Sequence, residues 1–149
     1  MASRAYRGPN DRQLKTISNK TVGAALLPCT FVTEAETALA QATAFGPNLR
    51  LLLDREYYST DYFDSTNPLL TAYASGDTGI AAVLEPGQTY QVAVAAATYT
   101  WGQEITVAAA GRGAGAASTN VVVGFARGSG AKSAGDLMDV EICMPYVKA

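Results

Sequence analysis

The side chains best suited to catalysis in this sequence are carboxylates, and they crowd into one segment, residues 54–64. The pairs Asp54 with Glu56 and Asp61 with Asp64 could serve as the two carboxyl groups of a glycosidase, which must flank one glycosidic bond. Acids on a tyrosine-rich loop are, however, far more often exposed to solvent. The sequence contains no histidine, which excludes Ser-His-Asp and Cys-His catalysis. We therefore expect no enzyme activity.

Metal and cofactor sites are also not expected. The acids of residues 54–64 lack the alternating spacing and the fixed glycine of an EF-hand calcium loop. The glycine-rich run 111–115 lacks the Gly-Lys-Ser/Thr ending of a phosphate loop, and a strand-like run of valines follows it instead of a helix. Cys29 and Cys143 lie in apolar surroundings, which predicts buried free thiols. The alternative, a disulfide, would require an oxidising compartment.

The net charge of the chain limits its partners. A formal charge of -2 and a pI of about 5.0 argue against nucleic acid, because neutralising phosphates requires a concentrated surplus of Lys and Arg. No run of about 18 apolar residues is present, so we expect no membrane span. The first residues lack the apolar core of a signal peptide. We expect synthesis in the cytoplasm.

Two segments have compositions typical of binding to another protein. The first 20 residues are rich in cations and contain a single acid, which predicts an extended basic arm docked on a partner; the alternative is a floppy, solvated terminus. The second segment, residues 55–64, contains four aromatic side chains, which offer a large contact area and, in tyrosine, a polar tip. The alternative is a loop whose tyrosines cap a sheet edge. The candidate partner-binding residues of the two segments are Arg4, Tyr6, Arg7, Arg12, Tyr57, Tyr58, Tyr62 and Phe63.

The elements that must position these residues are short strands. Residues 105–107, 121–125 and 138–144 alternate between apolar and polar side chains, the period of a half-buried strand. Phe125 and Met144 fall on the core-facing side of this pattern. Glycine-rich runs at 111–115 and 128–135 separate the three segments, so we predict a β-meander of three neighbouring antiparallel strands.

The rest of the chain continues this pattern. Residues 48–54, 80–84 and 90–98 read as strands, whereas residues 33–42 fit a short helix with a Thr33 and Glu36 capping box, or a loop or strand. With 149 residues, one domain is the default. We predict an all-β fold: an antiparallel β-sandwich or small β-barrel of about seven short strands. The N-terminal arm covers residues 1–20 and the single β-rich domain residues 21–149.

The C-terminal third carries motifs known from one class of proteins. These are Thr-Tyr-Thr-Trp-Gly at 98–102, Ile-Thr-Val at 105–107, Val-Gly-Phe-Ala at 123–126 and Ala-Gly-Asp-Leu-Met-Asp-Val-Glu-Ile at 134–142. In this order they resemble the C-terminal β-unit of small head decoration (cement) proteins of tailed bacteriophages. The motifs are turn and strand signals and not catalytic signatures.

The resemblance implies a structural role without chemistry. Such proteins are made in the host cytoplasm, bind the outer surface of the expanded capsid in the virion, and hold neighbouring major capsid subunits together. It also implies a homo-oligomer, with a trimer favoured over a dimer because three-fold lattice sites are common. The alternative is a virion-surface binding module for a host receptor or glycan, in which Trp101, tyrosines and acids line a sugar site.

Overall fold

The computed structural model describes residues 5–54 and 68–149. These residues form thirteen strands and no α-helix, so the all-β prediction is confirmed, and the predicted number of about seven strands is wrong. The strands are β1 (Tyr6–Gly8), β2 (Thr16–Val22), β3 (Phe31–Glu34), β4 (Ala38–Gln41), β5 (Leu49–Leu52), β6 (Thr78–Val83), β7 (Thr89–Ala93), β8 (Ala97–Tyr99), β9 (Glu104–Ala108), β10 (Arg112–Gly115), β11 (Val121–Ala126), β12 (Gly130–Lys132) and β13 (Leu137–Val147). Within these two ranges no helix is long and apolar enough to cross a bilayer.

The strands are arranged in a closed barrel and an open sheet. The barrel contains five strands in the order β2-β4-β3-β5-β6, and the sheet six in the order β1-β7-β13-β11-β9-β10. A small two-stranded sheet pairs β12 with β8. Neighbouring strands run antiparallel except β2 and β4, which pair in parallel. The fold therefore contains a closed barrel together with an open sheet.

Two apolar clusters hold these parts together. Val22, Leu39 and Leu52 belong to a cluster formed by barrel residues, whereas Phe31 and Leu51 of the barrel belong to a larger cluster with residues of the six-stranded sheet. Adjacent residues of β3 and β5 thus contribute to different clusters, because successive side chains of a strand point to opposite faces. This explains why the adjacent Leu51 and Leu52 of β5 are both buried, each in a different cluster.

The predicted meander is present. The strands β9, β11 and β13 are antiparallel neighbours in the six-stranded sheet. The two glycine-rich separators also contain strands, β10 and β12, which is one reason for the low predicted strand number. The predicted helix alternative at residues 33–42 is wrong, because this segment contributes to the antiparallel pair of β3 and β4, in which Thr33 lies opposite Ala40.

The alternation of β11 and β13 breaks at one point. Gly124 lies opposite Ile142 and Val122 lies opposite Tyr146, so two residue steps on β11 match four on β13. Such a bulge moves the following side chains to the other face or out of the sheet. Met144 lies within this bulge and is 74% exposed, whereas Phe125 lies opposite Glu141 and is only half-buried. These positions correct the expectation that both side chains face the core.

The N-terminal residues take part in both sheets. Tyr6 of β1 lies opposite Tyr90 of β7, and the backbone N–H of Ala5 donates to Asp54 Oδ1 at 3.4 Å. Strand β2 closes the barrel against β6. The described part of residues 1–20 is therefore held against the rest of the chain by backbone pairing.

Both cysteines are free thiols, and Cys29 is buried whereas Cys143 is half-buried. Burial, with a smaller contribution from the nearby Asp54 carboxylate, raises the pKa of the Cys29 thiol from 9.0 to about 12. The folded state thus holds the proton more tightly than the unfolded state. The resulting contribution to stability is complete below pH 9 and is lost as the pH rises from 9 toward 12.

We expect this linkage to be measurable by urea unfolding. Between pH 9 and pH 10.5 the unfolding free energy of the native chain should fall by about 2 kcal/mol more than that of Cys29→Ala, at about 1.4 kcal/mol per pH unit. Cys143→Ala is the comparison variant: burial raises the pKa of the Cys143 thiol as well, but this thiol is only half-buried, so this variant should differ from the native chain in the same direction by less than Cys29→Ala does. An equal pH dependence of the native chain and Cys29→Ala would contradict the prediction.

Candidate partner-binding surfaces

The N-terminal strand places two predicted binding residues against the six-stranded sheet. The ring of Tyr6 packs on that of Tyr90, with centroids 5.3 Å apart, and its hydroxyl donates to the Pro9 carbonyl at 2.6 Å. Arg7 Nε lies 3.5 Å from Asp139 Oδ1, and the Arg7 side chain is 49% exposed. Burial raises the pKa of the Tyr90 phenol, and the Tyr90 hydroxyl donates a hydrogen bond to Gln88 Oε1. Because Arg7 is paired with Asp139 and half-exposed, its guanidinium is accessible and held in position.

The next cations, Arg12 and Lys15, contact the turn between β6 and β7. Arg12 Nη1 donates to the Pro86 carbonyl at 3.0 Å, and Lys15 Nζ lies 2.6 Å from Glu85 Oε1. Arg7, Arg12 and Lys15 are thus spread along one border of the domain. The remaining predicted binding residues lie outside the described residues, and their roles stay predictions: Arg4, Tyr57, Tyr58, Tyr62 and Phe63.

An apolar groove lies beside Arg12. It encloses about 320 Å³ between the segment that precedes β5, the end of β6 and the bulge of β13. Phe45 is 38% exposed and Met144 74% exposed at its border. Its apolar lining, which we call the apolar groove, includes Phe45, Pro47, Leu84, Pro86, Met144 and Pro145. Because Arg12 binds the carbonyl of Pro86, the cation and the groove form one continuous surface.

A second group of exposed side chains lies on the six-stranded sheet and on the turn after β8. The Arg127 guanidinium carbon lies 5.4 Å from the ring centroid of Trp101 and 5.9 Å from that of Phe125. The rings of Phe125 and Tyr146 follow, with centroids 6.4 Å apart. Trp101 is 68% exposed and Tyr146 41% exposed. We call these four residues the aromatic row.

Ion pairs surround the aromatic row. Arg127 pairs with Glu141, and Lys148 Nζ lies 3.7 Å from Glu104 Oε1. The Tyr146 hydroxyl donates to Glu104 Oε2 at 3.0 Å. Desolvation and this hydrogen bond raise the pKa of the Tyr146 phenol. The charged side chains of this face are therefore paired with each other, and their orientation is fixed.

The acids considered for catalysis or metal binding are mostly outside the described residues. Asp54 alone among them is described, and it accepts the hydrogen bond from Ala5. In the ranges 5–54 and 68–149, no three His, Cys, Asp or Glu side chains come together as a metal site would require. The described geometry thus offers surfaces for binding.

Comparison with known proteins found similarity to a solved structure. No protein-family model matches the chain, and no curated protein matches it. Among solved structures, the head fiber gp8.5 N base of bacteriophage phi29 aligns with a TM-score of 0.58, covering 92% of this chain and 100% of that one at 11% identity. The two chains share a fold.

This similarity agrees only in part with the predicted resemblance. The head fiber base belongs to a phage head. The resemblance to head decoration proteins also pointed to a phage head protein, so the two agree at this coarse level. The similar structure is that of a head fiber protein, so the finer assignment to decoration or cement proteins stays a prediction. At 11% identity the similarity concerns the fold alone.

The sequence reading assigned two members of these surfaces to the core. Phe125 belongs to the aromatic row and Met144 to the apolar groove, although alternation placed both in the core. Two signals could have revealed the break: Gly124 inside a strand pattern and Pro145 near its end, since both residue types mark bulges and interrupted ladders. Trp101 was recognised only as one possible element of a sugar site.

Proposed function

We propose that this protein is a structural component of a phage virion that binds the outside of the capsid shell and cements it by bridging neighbouring major capsid subunits. The observation that carries the proposal is the fold shared with the N base of a phage head fiber over 92% of this chain. The C-terminal strand and turn motifs that resemble decoration proteins support the same assignment. No catalytic step is required.

The shell contact that we assign is the apolar groove with its basic border. Interfaces between proteins combine an apolar centre with a polar rim, and arginine is enriched in them. Here Phe45 and Met144 expose apolar surface, while Arg12 lies at the border through its bond to Pro86. An apolar ridge flanked by acids on the capsid protein would complement this surface. Arg7, half-exposed on the adjacent strand, would extend the basic border.

Cementing follows from binding alone. A protein that binds the expanded shell, and not its dissociated subunits, stabilises that shell by its binding free energy. Many copies on a symmetric lattice act together, and a homo-oligomer would add avidity by engaging several subunits at once. We favour a trimer over a dimer because capsid lattices offer three-fold sites. The protein would then reside on the outer surface of the virion.

The direct test is co-sedimentation of the purified protein with expanded capsids that lack it. We expect saturable binding to expanded shells and none to compact, unexpanded shells, which expose a different lattice. The stoichiometry at saturation gives the number of copies per shell, and with it the symmetry axis that is occupied. Absence of binding to both shells would exclude the proposed function.

Substitution of Arg12 tests the assigned contact. We expect Arg12→Ala to lower the affinity for expanded shells about tenfold, which corresponds to a loss of about 1.4 kcal/mol of binding free energy. Its folding should be unchanged, since the bond to Pro86 is exposed. Deleting the whole arm would be a poorer test, because β1 pairs with β7 and its loss would disturb the sheet.

The matched control for Arg12 is Lys132→Ala, which removes a cation from β12, a strand that does not line the apolar groove. This variant should bind shells as the native protein does. If both variants bind like the native protein, the basic border does not contact the shell. If both lose affinity equally, the effect is one of overall charge.

A further inference from the structure

We propose that the aromatic row is a binding site for neutral oligosaccharides. This activity goes beyond shell binding, and it uses the exposed face of the six-stranded sheet instead of the apolar groove. The site consists of Trp101, Phe125, Arg127 and Tyr146. The proposal rests on three properties of this face: exposed rings, fixed positions and balanced charge.

The first property is that the largest ring of the site is held in solvent. Trp101 is 68% exposed, and its turn is fixed by hydrogen bonds. The Gly102 N–H donates to the Ala126 carbonyl at 2.8 Å, the Gln103 N–H to the Thr100 carbonyl at 3.1 Å, and the Thr100 N–H to Gln103 Oε1 at 3.1 Å. A ligand that stacks on Trp101 would therefore pay little entropy for ordering the site.

The second property is that the rings continue in a row. Arg127 lies against both Trp101 and Phe125, and its pairing with Glu141 fixes the guanidinium between them. Phe125 then contacts Tyr146 at 6.4 Å. The C–H faces of successive sugar rings can stack on such a row, because aromatic side chains offer broad, rigid apolar surfaces. The row is thus suited to a chain of sugars more than to a single one.

The third property is charge balance. Arg127 pairs with Glu141 and Lys148 with Glu104. Among the described residues of the row and its flanks, each of these cations is matched by an acid, so they offer no surplus positive charge to a nucleic acid or an acidic polysaccharide. The paired charges can still exchange hydrogen bonds with hydroxyl groups. A neutral sugar supplies both the apolar faces and the hydroxyl edges that this arrangement fits.

A protein ligand fits the same face less well. Glutamate and lysine are depleted from protein interfaces, whereas here Glu141 pairs with Arg127 of the row, and Glu104 and Lys148 lie beside it. Trp101 also lies on a turn and is 68% exposed. The surface is therefore better matched to a narrow chain that follows the rings.

The chain contains one tryptophan, so tryptophan emission, excited selectively over that of the tyrosines, reports on Trp101 alone. We would screen labelled protein on an array of neutral and acidic glycans, with maltohexaose, cellohexaose and chitohexaose included as defined probes. We expect neutral oligosaccharides to bind and to change the tryptophan emission saturably. Hexamers should bind at least about tenfold more tightly than the corresponding monosaccharides, since they engage more of the row.

Variants separate this site from the shell contact. Trp101→Ala should weaken binding of the selected glycan about tenfold by calorimetry, whereas Leu70→Ala, which removes a 65% exposed side chain elsewhere, should not. Both variants should keep the native circular dichroism and melting temperature. Trp101→Ala should also keep its binding to expanded capsids, so failure of the glycan site and failure of shell binding are distinguishable.

Two results would overturn the proposal. One is that no neutral glycan on the array binds and none of the three hexamers changes the tryptophan emission at millimolar concentration. The other is that Trp101→Ala binds the selected glycan as the native protein does. If Trp101→Ala instead abolishes shell binding while no glycan binds, the row is a protein contact and the sugar assignment is wrong.

Discussion

Replacing Phe31 by alanine is expected to lower the unfolding free energy by about 3–5 kcal/mol, the range for removing a buried phenylalanine. Phe31 lies in β3, is fully buried, and belongs to the cluster that joins the barrel to the six-stranded sheet. It lies opposite Leu51, so the cavity would open at the contact between the two parts. The loss is a large share of the total stability of about 5–15 kcal/mol that is typical of a domain.

Urea unfolding followed by circular dichroism measures this change, and the melting temperature should fall by about 10 °C. The matched control is Phe45→Ala, the same substitution at a 38% exposed position, which should cost about 1 kcal/mol or less. Equal losses for the two variants would contradict the packing described here. Phe45→Ala has a second use, because it removes part of the apolar groove and should weaken shell binding.

The second large effect is expected at Gly124. A Cβ added there would lie 2.5 Å from the Glu141 carbonyl oxygen and 2.8 Å from Val140 Cγ1. Gly124 pairs with Ile142 on one side and with Ile105 on the other, so the backbone of three strands would have to shift. We expect Gly124→Ala to lower the unfolding free energy by about 3 kcal/mol, the upper end of overpacking costs.

The control for Gly124 is Gly46→Ala, since a Cβ at Gly46 would meet no atom within 4 Å. This variant should be neutral or slightly stabilising, because alanine restricts the unfolded chain more than glycine does. Both proteins would be compared by urea unfolding under the same conditions. A neutral Gly124→Ala would mean that the sheet separates at this point without cost, against the close approach of β11 and β13.

The sequence allowed prediction of the strands whose side chains alternate regularly. The neighbourhood of β9, β11 and β13 followed from three alternating segments separated by glycine-rich runs, because one buried face fixes both the period and the register. The strand at β5 was predicted for the same reason, from its leucines. In each case the information is local, within about ten residues of the chain.

The features that were missed depend on distant residues. The parallel pairing of β2 with β4 joins segments that are far apart in the fold's other pairings. Strands β10 and β12 form because a partner strand lies beside them, although their own sequences are rich in glycine and alanine. Local propensity favours turns there, and tertiary pairing overrides it. The bulge at Gly124 belongs to the same class, since it arises from the mismatch between β11 and β13.

The candidate surfaces could be predicted only in part. Arg7 and Arg12 were singled out by charge, and Trp101 by its residue type, but their neighbours were not accessible to local reasoning. Arg127 comes to lie between Trp101 and Phe125 because the turn after β8 packs beside β11. Met144 reaches the apolar groove because of the bulge. Residue type thus revealed members of the surfaces, and topology decided which of them lie together.

The position of β13 sets the order in which the molecule can be completed during synthesis. All five barrel strands have been synthesised once the chain reaches Val83, whereas the six-stranded sheet has at its centre a strand that ends at Val147. Domains form from the N-terminus as the chain emerges, and long-range pairings come late. The apolar groove combines Phe45 with Met144, so a nascent or prematurely terminated chain cannot present it. Only chains synthesised through β13 could then compete for places on a shell.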